Sequence, residues 1–144
     1  MIRILNPTWT FSRLQAAQGF AAVAVICSVG LSEAAEPIDF REMESGLYIH
    51  VGQVAVPDSA NQGDTANITF IVGDDMVAVV DAGGSRAIGQ ATLDAIRGVT
   101  DKPVGWLILT HMHPDHVAGS APLVEAGATV IAHSGYEASI APRR

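Results

Sequence analysis

Residues 110–116 read Thr-His-Met-His-Pro-Asp-His and place three of the chain's five histidines and one carboxylate next to one another. They follow residues 104–109, a short apolar stretch that predicts a buried strand rather than a helix. The polar cluster is therefore expected where a strand ends in a loop. In layered α/β folds ligands and catalytic groups collect at that edge of the sheet, because the loop can vary while the strand holds it in place.

The spacing of the cluster predicts a metal site. In an extended chain, side chains two residues apart point to the same side, so His111 and His113 could bind one ion together. Pro114 favours this geometry because it disfavours helical backbone at the residue before it. Asp115 and His116 then lie on a turn or in the first residues of a helix and point in a different direction. We therefore predict two neighbouring half-sites, with ligands that suit zinc and with iron or manganese as competitors.

A simpler interpretation needs no metal. Asp115 could be the N-cap of a helix that begins near Val117, with the histidines as a polar loop. A single histidine in this position would usually have that meaning. Three histidines and one aspartate directly after a predicted strand favour the metal site instead.

Residues 1–34 have the pattern of a secretory signal peptide. Arg3 and Arg13 provide a positive amino-terminal region, residues 19–31 are apolar, and cleavage is predicted after Ala34, with Ala35 as the second choice. The apolar segment is shorter than the roughly 18–20 residues that a membrane-spanning helix needs. We therefore expect a periplasmic or secreted protein without stable membrane insertion after cleavage.

The mature chain is predicted to be acidic. Cleavage would remove Arg3, Arg13 and Glu33 and change the formal charge from −7 to −8. Because an acidic surface repels phosphate backbones, the sequence favours a small-molecule substrate over nucleic acid. Cys27 is the only cysteine and would leave with the signal peptide, so the mature chain would offer no thiolate to a metal. The sequence carries no signal for an oligomeric state.

Residues 35–144 are enough for one small domain in which strands and helices follow one another. The predicted elements are a strand at 47–51, a hairpin of strands at 66–72 and 76–80, a helix at 86–97 capped by Ser85, a strand at 104–109, a helix near 118–126, a strand at 129–132 and a helical tail from 134. This order predicts an α/β fold with helices packed on a sheet.

Three further polar residues have alternative interpretations. His50 falls on the side of its alternating strand that is predicted to face solvent. His133 follows a strand and is predicted to be a turn histidine, with metal ligation as the alternative. Asp81 ends the second hairpin strand. It could form an Asx turn in its own loop, or it could support the histidine loop from behind the metal ligands.

Two stretches resemble the metallo-β-lactamase superfamily. Residues 107–116 (Leu-Ile-Leu-Thr-His-Met-His-Pro-Asp-His) contain its His-x-His-x-Asp-His motif, and residues 79–85 (Val-Val-Asp-Ala-Gly-Gly-Ser) resemble its earlier aspartate motif. Residues 63–75 and 99–103 resemble, more narrowly, the branch called quinoprotein relay system zinc metallohydrolases. The resemblance covers about residues 44–142.

The resemblance implies a fold and a ligand set. The fold would be the first half of an αββα sandwich, a mixed sheet with helices packed on it. His111 and His113 would hold one zinc ion, Asp115 and His116 would hold a second, and Asp81 would support the metal loop.

The rest of the family's ligand set has no match here. Family members draw a further histidine, a bridging aspartate and a last histidine from the second half of the sandwich. After His116 the chain has no aspartate and only His133. We therefore interpret residues 35–144 as the amino-terminal half of such a domain, from a fragment or a prematurely ended reading frame.

The activity implied by the resemblance is zinc-dependent hydrolysis of a lactam, ester or thioester. A metal-bound hydroxide would attack the substrate, and Asp115 would orient it and accept a proton. An incomplete site is expected to be inactive by itself. The alternative is a non-catalytic remnant that binds metal weakly or offers an open sheet edge to a partner.

Overall fold

Seven strands form one mixed β-sheet in the computed structural model, which describes residues 2–5 and 37–141. The strands are β1 (Ile2–Leu5), β2 (Arg41–Glu44), β3 (Leu47–His50), β4 (Ile68–Val72), β5 (Val77–Val80), β6 (Val104–Leu109) and β7 (Thr129–His133). Their order across the sheet is β1-β7-β6-β5-β4-β3-β2. The predicted α/β fold with a mixed sheet is confirmed.

Four helices accompany the sheet among the described residues: α1 (Arg86–Val99), α2 (Pro114–Val117), α3 (Ser120–Glu125) and α4 (Tyr136–Ile140). Helix α1 begins where predicted, because the Ser85 hydroxyl accepts a hydrogen bond from the Ile88 amide at 3.3 Å. The short helix predicted near residues 118–126 is confirmed by α3, and α2 precedes it as a separate short helix. Between the two helices, the Gly119 amide donates to the Gly83 carbonyl at 2.9 Å.

The strand pairing follows the predicted hairpin and then changes direction. Strands β4 and β5 are antiparallel, with Phe70 opposite Val79, and this confirms the hairpin. Strands β5, β6 and β7 are parallel, so each connection crosses back over the sheet through a helix. The buried core includes side chains from the sheet strands and from α1 and α3: Ile68, Phe70, Val77, Val79, Ile88, Leu93, Ile96, Leu107 and Leu123.

The parallel arrangement brings two distant loops to one edge of the sheet. Val80 pairs with Ile108, and the Asp81 amide donates to the Ile108 carbonyl at 2.9 Å. The carboxyl ends of parallel neighbours share an edge, which is where open α/β sheets carry their ligands. The turn after β5 and the histidine loop after β6 therefore lie side by side.

Strand β2 is not among the predicted elements; it is an exposed strand that pairs antiparallel with β3 at the sheet edge. One local prediction is wrong. His50 was expected to face solvent, but its residue is only 6% exposed. The reason is tertiary: backbone from Asp39 and the side chain of Asp64 both contact its ring.

The predicted signal peptide, residues 1–34, lies outside the described residues except for residues 2–5. Those four form β1 and pair antiparallel with β7 at the edge of the sheet, with Ile2 opposite His133. Among the helices of the described ranges, none has the length and apolar character needed to cross a bilayer.

Candidate metal centre

Asp81 joins the turn after β5 to the histidine loop. Its residue is 4% exposed, and its carboxylate accepts hydrogen bonds from the Thr110 amide at 2.9 Å, from the Thr110 hydroxyl at 2.8 Å and from Nδ1 of His116 at 2.8 Å. These contacts support the second of the two interpretations, in which Asp81 holds the histidine loop. Its φ of 61° is left-handed, a conformation that costs roughly 1–2 kcal/mol for a residue with a Cβ and that the three hydrogen bonds offset.

Thr110 fixes the tautomer of His111. The hydroxyl has one proton, which goes to the Asp81 carboxylate because a carboxylate can only accept. Nδ1 of His111 lies 2.9 Å from the same hydroxyl oxygen, so Nδ1 must donate to it. Nδ1 of His116 donates to Asp81 in the same way. Both rings therefore carry their proton on Nδ1 and keep the Nε2 lone pair for a metal, which is how proteins prepare histidine ligands.

The remaining two predicted ligands lie beside this pair. The ring centroids of His111 and His113 are 4.7 Å apart, and those of His111 and His116 are 4.1 Å apart. Asp115 Oδ2 lies 3.5 Å from Nε2 of His116. The structure thus brings all four side chains of the predicted set to one loop.

Asp115 is not the N-cap that the simpler interpretation requires. Helix α2 begins at Pro114, the N-cap residue is His113, and no side chain caps the helix. Asp115 lies within the first turn, and its side chain is 30% exposed. Its carboxylate is therefore available for another role.

The donors fit zinc in kind. Three imidazoles and one carboxylate are suitable zinc ligands, and two of the imidazoles have a fixed tautomer. Their arrangement is nevertheless open: within residues 2–5 and 37–141, no three histidine, cysteine, aspartate or glutamate side chains converge closely enough to hold one metal ion. The described residues provide part of a zinc ligand set rather than a closed site. Ligation by His111, His113, Asp115 and His116 stays a prediction.

Backbone contacts hold the two loops together without a metal. The Ala82 amide donates to the His116 carbonyl at 2.8 Å, and the Gly119 amide donates to the Gly83 carbonyl at 2.9 Å. Gly119 has no room for a side chain, since a Cβ there would overlap the Ala82 carbonyl oxygen. The position of the histidine loop is therefore set by close backbone packing as well as by Asp81.

Thr110 contacts both Asp81 and His111 but was not among the predicted site residues. Its signal in the sequence is its place directly after β6 and directly before His111, where a hydroxyl can reach a neighbouring strand end. His133 lies at the end of β7, is exposed, and accepts a hydrogen bond through Nδ1 from the Gly135 amide at 3.1 Å. This contact is the one expected of a turn histidine.

Tyr136 in α4 is influenced by the same carboxylate. Burial raises the pKa of the Tyr136 hydroxyl, and the charge of Asp81 raises it further. The folded protein thus holds this proton more tightly than the unfolded chain, so the stabilisation is present below pH about 10 and is lost as the pH rises through the folded pKa. We expect Tyr136→Phe to flatten the alkaline fall in stability. Urea unfolding of both proteins between about pH 9 and 11 measures this, and equal slopes would contradict it.

Histidines lie at the carboxyl edge of the parallel strands and an aspartate on the neighbouring strand orients two of them, so the fold is an open α/β sheet with its polar cluster at the edge where such sheets carry ligands. The model of the metallo-β-lactamase superfamily matches residues 61–143. The chain belongs to the metallo-β-lactamase superfamily. No curated protein matches it.

Solved structures agree with this assignment. A metallo-β-lactamase from Hirschia baltica is 23% identical with a TM-score of 0.57, covering 72% of this chain and 46% of its own. The metallo-β-lactamase FIM-1 from Pseudomonas aeruginosa in its mono-zinc form is 21% identical with a TM-score of 0.58, covering 72% and 45%. The sec-alkylsulfatase Pisa1 from Pseudomonas sp. is 26% identical with a TM-score of 0.50, covering 65% and 14%. The chain thus spans less than half the length of these relatives, and its sheet and helices match one half of the fold.

Proposed function

We propose that this chain contributes the amino-terminal metal-binding half of a zinc-dependent hydrolase. His111, His113, Asp115 and His116 would hold the metal, and Asp81 would orient His116. The observation that carries the proposal is the Asp81–Thr110 network, which keeps the Nδ1 proton on His111 and His116. A purely structural loop has no need to fix both tautomers, whereas a metal site does.

Zinc is the proposed metal because of the donor types. Imidazole and carboxylate suit zinc, and iron and manganese are the competitors. When bound, zinc supplies Lewis-acid chemistry and lowers the pKa of a water molecule to about 7. The superfamily membership and the mono-zinc relative support zinc over the alternatives.

The chain's own residues have distinct proposed roles. Asp115 would accept a proton at its carboxylate, since this group lies beside His116 and is engaged in no helix cap. Asp81 would hold the imidazole of His116 in one orientation through the 2.8 Å contact to Nδ1. Thr110 would do the same for His111. These groups are preorganised by hydrogen bonds, so little reorganisation would be needed on binding.

The proposed substrate is a small molecule with a lactam, ester or thioester bond. The net charge of −7 opposes binding of polyanions such as nucleic acid. Residues 63–75 and 99–103 support the quinoprotein relay system zinc metallohydrolase branch, and the signal-peptide pattern of residues 1–34 supports a periplasmic location.

A second candidate is a non-catalytic module that binds metal weakly. It is favoured by the open arrangement of donors in residues 37–141, where no three potential ligands converge. The two candidates differ in metal content and in turnover.

Zinc content is the direct test. We expect the 144-residue chain to bind fewer than two zinc ions, and the variant with alanine at His111, His113, Asp115 and His116 to bind none. His133→Ala is the matched control, because this exposed histidine lies outside the loop, and it should bind as the parent does. Equilibrium dialysis with elemental analysis measures all three. Undiminished zinc binding by the fourfold variant would refute the proposed site.

Turnover separates the two candidates once the ligand set is complete. The 144-residue chain alone is expected to be inactive, so chromogenic lactam, ester and thioester substrates are tested on a fusion that adds the second half of the sandwich from a relative. Hydrolysis that is lost when the four residues are replaced by alanine would favour the hydrolase, and zinc binding by that fusion without hydrolysis would favour the non-catalytic module.

A further inference from the structure

His50 and Asp64 form a buried pair outside the histidine loop. Their side chains are only 8% and 10% exposed, and Nε2 of His50 lies 2.6 Å from Asp64 Oδ1. Nδ1 of His50 lies 2.8 Å from the Asp39 carbonyl oxygen. The proposed metal site uses neither residue, and buried polar groups of this kind are costly unless they are hydrogen-bonded.

The two contacts of His50 define its chemistry. The Asp39 carbonyl can only accept a hydrogen bond, so Nδ1 of His50 donates to it. Nε2 of His50 and Asp64 Oδ1 share a second hydrogen bond, and Gln53 Nε2 approaches Asp64 Oδ2 at 3.4 Å. Removing either partner would leave a buried polar group without its hydrogen bond, which destabilises the fold locally.

Asp64 is connected to the Asp81 turn through its neighbour. The Gly63 carbonyl accepts a hydrogen bond from the Gly84 amide at 3.2 Å. The two backbones touch: a Cβ on Gly84 would overlap the Gly63 carbonyl oxygen, and Gly63 has a left-handed φ of 77°. The loop that carries Asp64 thus packs directly against the turn that begins at Asp81.

We propose that His50 and Asp64 are a positioning pair: by fixing the loop of Gly63, they hold the Asp81 turn in the geometry that orients His111 and His116. The pair acts through backbone and touches none of the proposed metal ligands. The consequence for metal affinity rests on the proposed function. The consequence for the turn does not, and it can be measured without metal.

Amide hydrogen exchange in the metal-free chain tests the effect on the turn. We expect His50→Ala and Asp64→Asn to speed exchange at Gly84, Ala82 and Gly119 by about tenfold or more, the change that loss of a charged hydrogen bond produces in a local opening. The Leu107 amide, in the central strand β6, should change less. Asp64→Asn keeps the size of the side chain, so it carries the test if His50→Ala does not fold.

A matched control separates positioning from general loss of stability. Ile96→Val removes one methylene from a core side chain of α1 that is 1% exposed. This variant should speed exchange of the amides in the Asp81 turn no more than exchange of the amides in the rest of the sheet. In the double variant of His50→Ala and Asp64→Asn, the effect should be no larger than in the more severe single variant, because the two residues act as one unit. Uniform acceleration across the sheet, or additive effects, would overturn the proposal.

Zinc competition measures the second consequence. We expect both single variants to bind zinc about threefold to tenfold more weakly than the parent, less than the 10–100-fold typical of groups that touch the ligands directly. If the parent chain binds no zinc, the proposed function fails while the exchange result still decides the positioning role. Faster exchange at the turn with unchanged zinc affinity would show that the turn does not control the ligands, and would overturn the link to the metal site.

Discussion

Asp81→Ala is expected to weaken zinc binding by about 10–100-fold, the usual effect of removing the group that orients a histidine ligand. The substitution removes the acceptor for Nδ1 of His116 and for both donors of Thr110. His116 would then be free to rotate and to move its proton to Nε2, the nitrogen that a metal needs. The Thr110 hydroxyl would also be free to donate to His111 and to reverse the tautomer of that ring. Competition with a zinc-binding dye measures the loss.

Two further variants make the Asp81 result specific. Asp81→Asn keeps the shape of the side chain, but its amide NH2 group would face the donors of Thr110 and His116. This variant should therefore lose nearly as much zinc affinity as Asp81→Ala. Asp75→Ala changes an exposed aspartate in the turn between β4 and β5 and should bind as the parent does. Equal zinc affinity in the parent and Asp81→Ala would show that the carboxylate does not orient the ligands.

Gly89→Ala is expected to destabilise the protein by about 1–3 kcal/mol, although helix propensity predicts the opposite. Gly89 is buried within α1, and a Cβ there would overlap the Gly119 carbonyl oxygen. Because the obstacle is backbone at the junction of α2 and α3, a rotamer change cannot relieve it. The helix would have to move away from the segment that carries His116. Urea unfolding at neutral pH measures the free energy of unfolding.

Gly98→Ala in the same helix is the matched control. A Cβ on Gly98 meets no atom within 4 Å. Alanine loses less backbone entropy than glycine on folding, so this variant should be more stable than the parent by up to about 1 kcal/mol. If Gly89→Ala were as stable as Gly98→Ala, the close contact between α1 and Gly119 would be wrong.

Local pattern predicted most of the secondary structure. Strand β6 has the predicted bounds, the hairpin pairs as expected, and α1 begins at Arg86 behind its Ser85 cap. Each of these depends on residues close together in the sequence, through apolar periodicity, turn residues and capping. The histidine cluster was visible for the same reason, since its four side chains lie within residues 111–116.

The contacts around the cluster could not be predicted in this way. His50 alternates with apolar neighbours as a solvent-facing strand residue would, yet it is buried because Asp39 and Asp64 contact its ring from 11 and 14 residues away. Strand β2 has no apolar face and exists because β3 offers it a free edge. The contacts of Thr110 depend on Asp81, which lies 29 residues earlier in the chain.

The sequence by itself determined the donors, the strands and the helix that carry the candidate site, because ligand chemistry and local periodicity are properties of neighbouring residues. Only the tertiary structure decided which nitrogen of His111 and of His116 is free, that Asp81 supports the loop, and that His50 is buried. These depend on which backbone and side-chain groups of distant segments meet when parallel strands align their carboxyl ends. The physical reason is that a hydrogen bond depends on the distance between two groups in space, and the number of residues between them in the sequence does not give that distance.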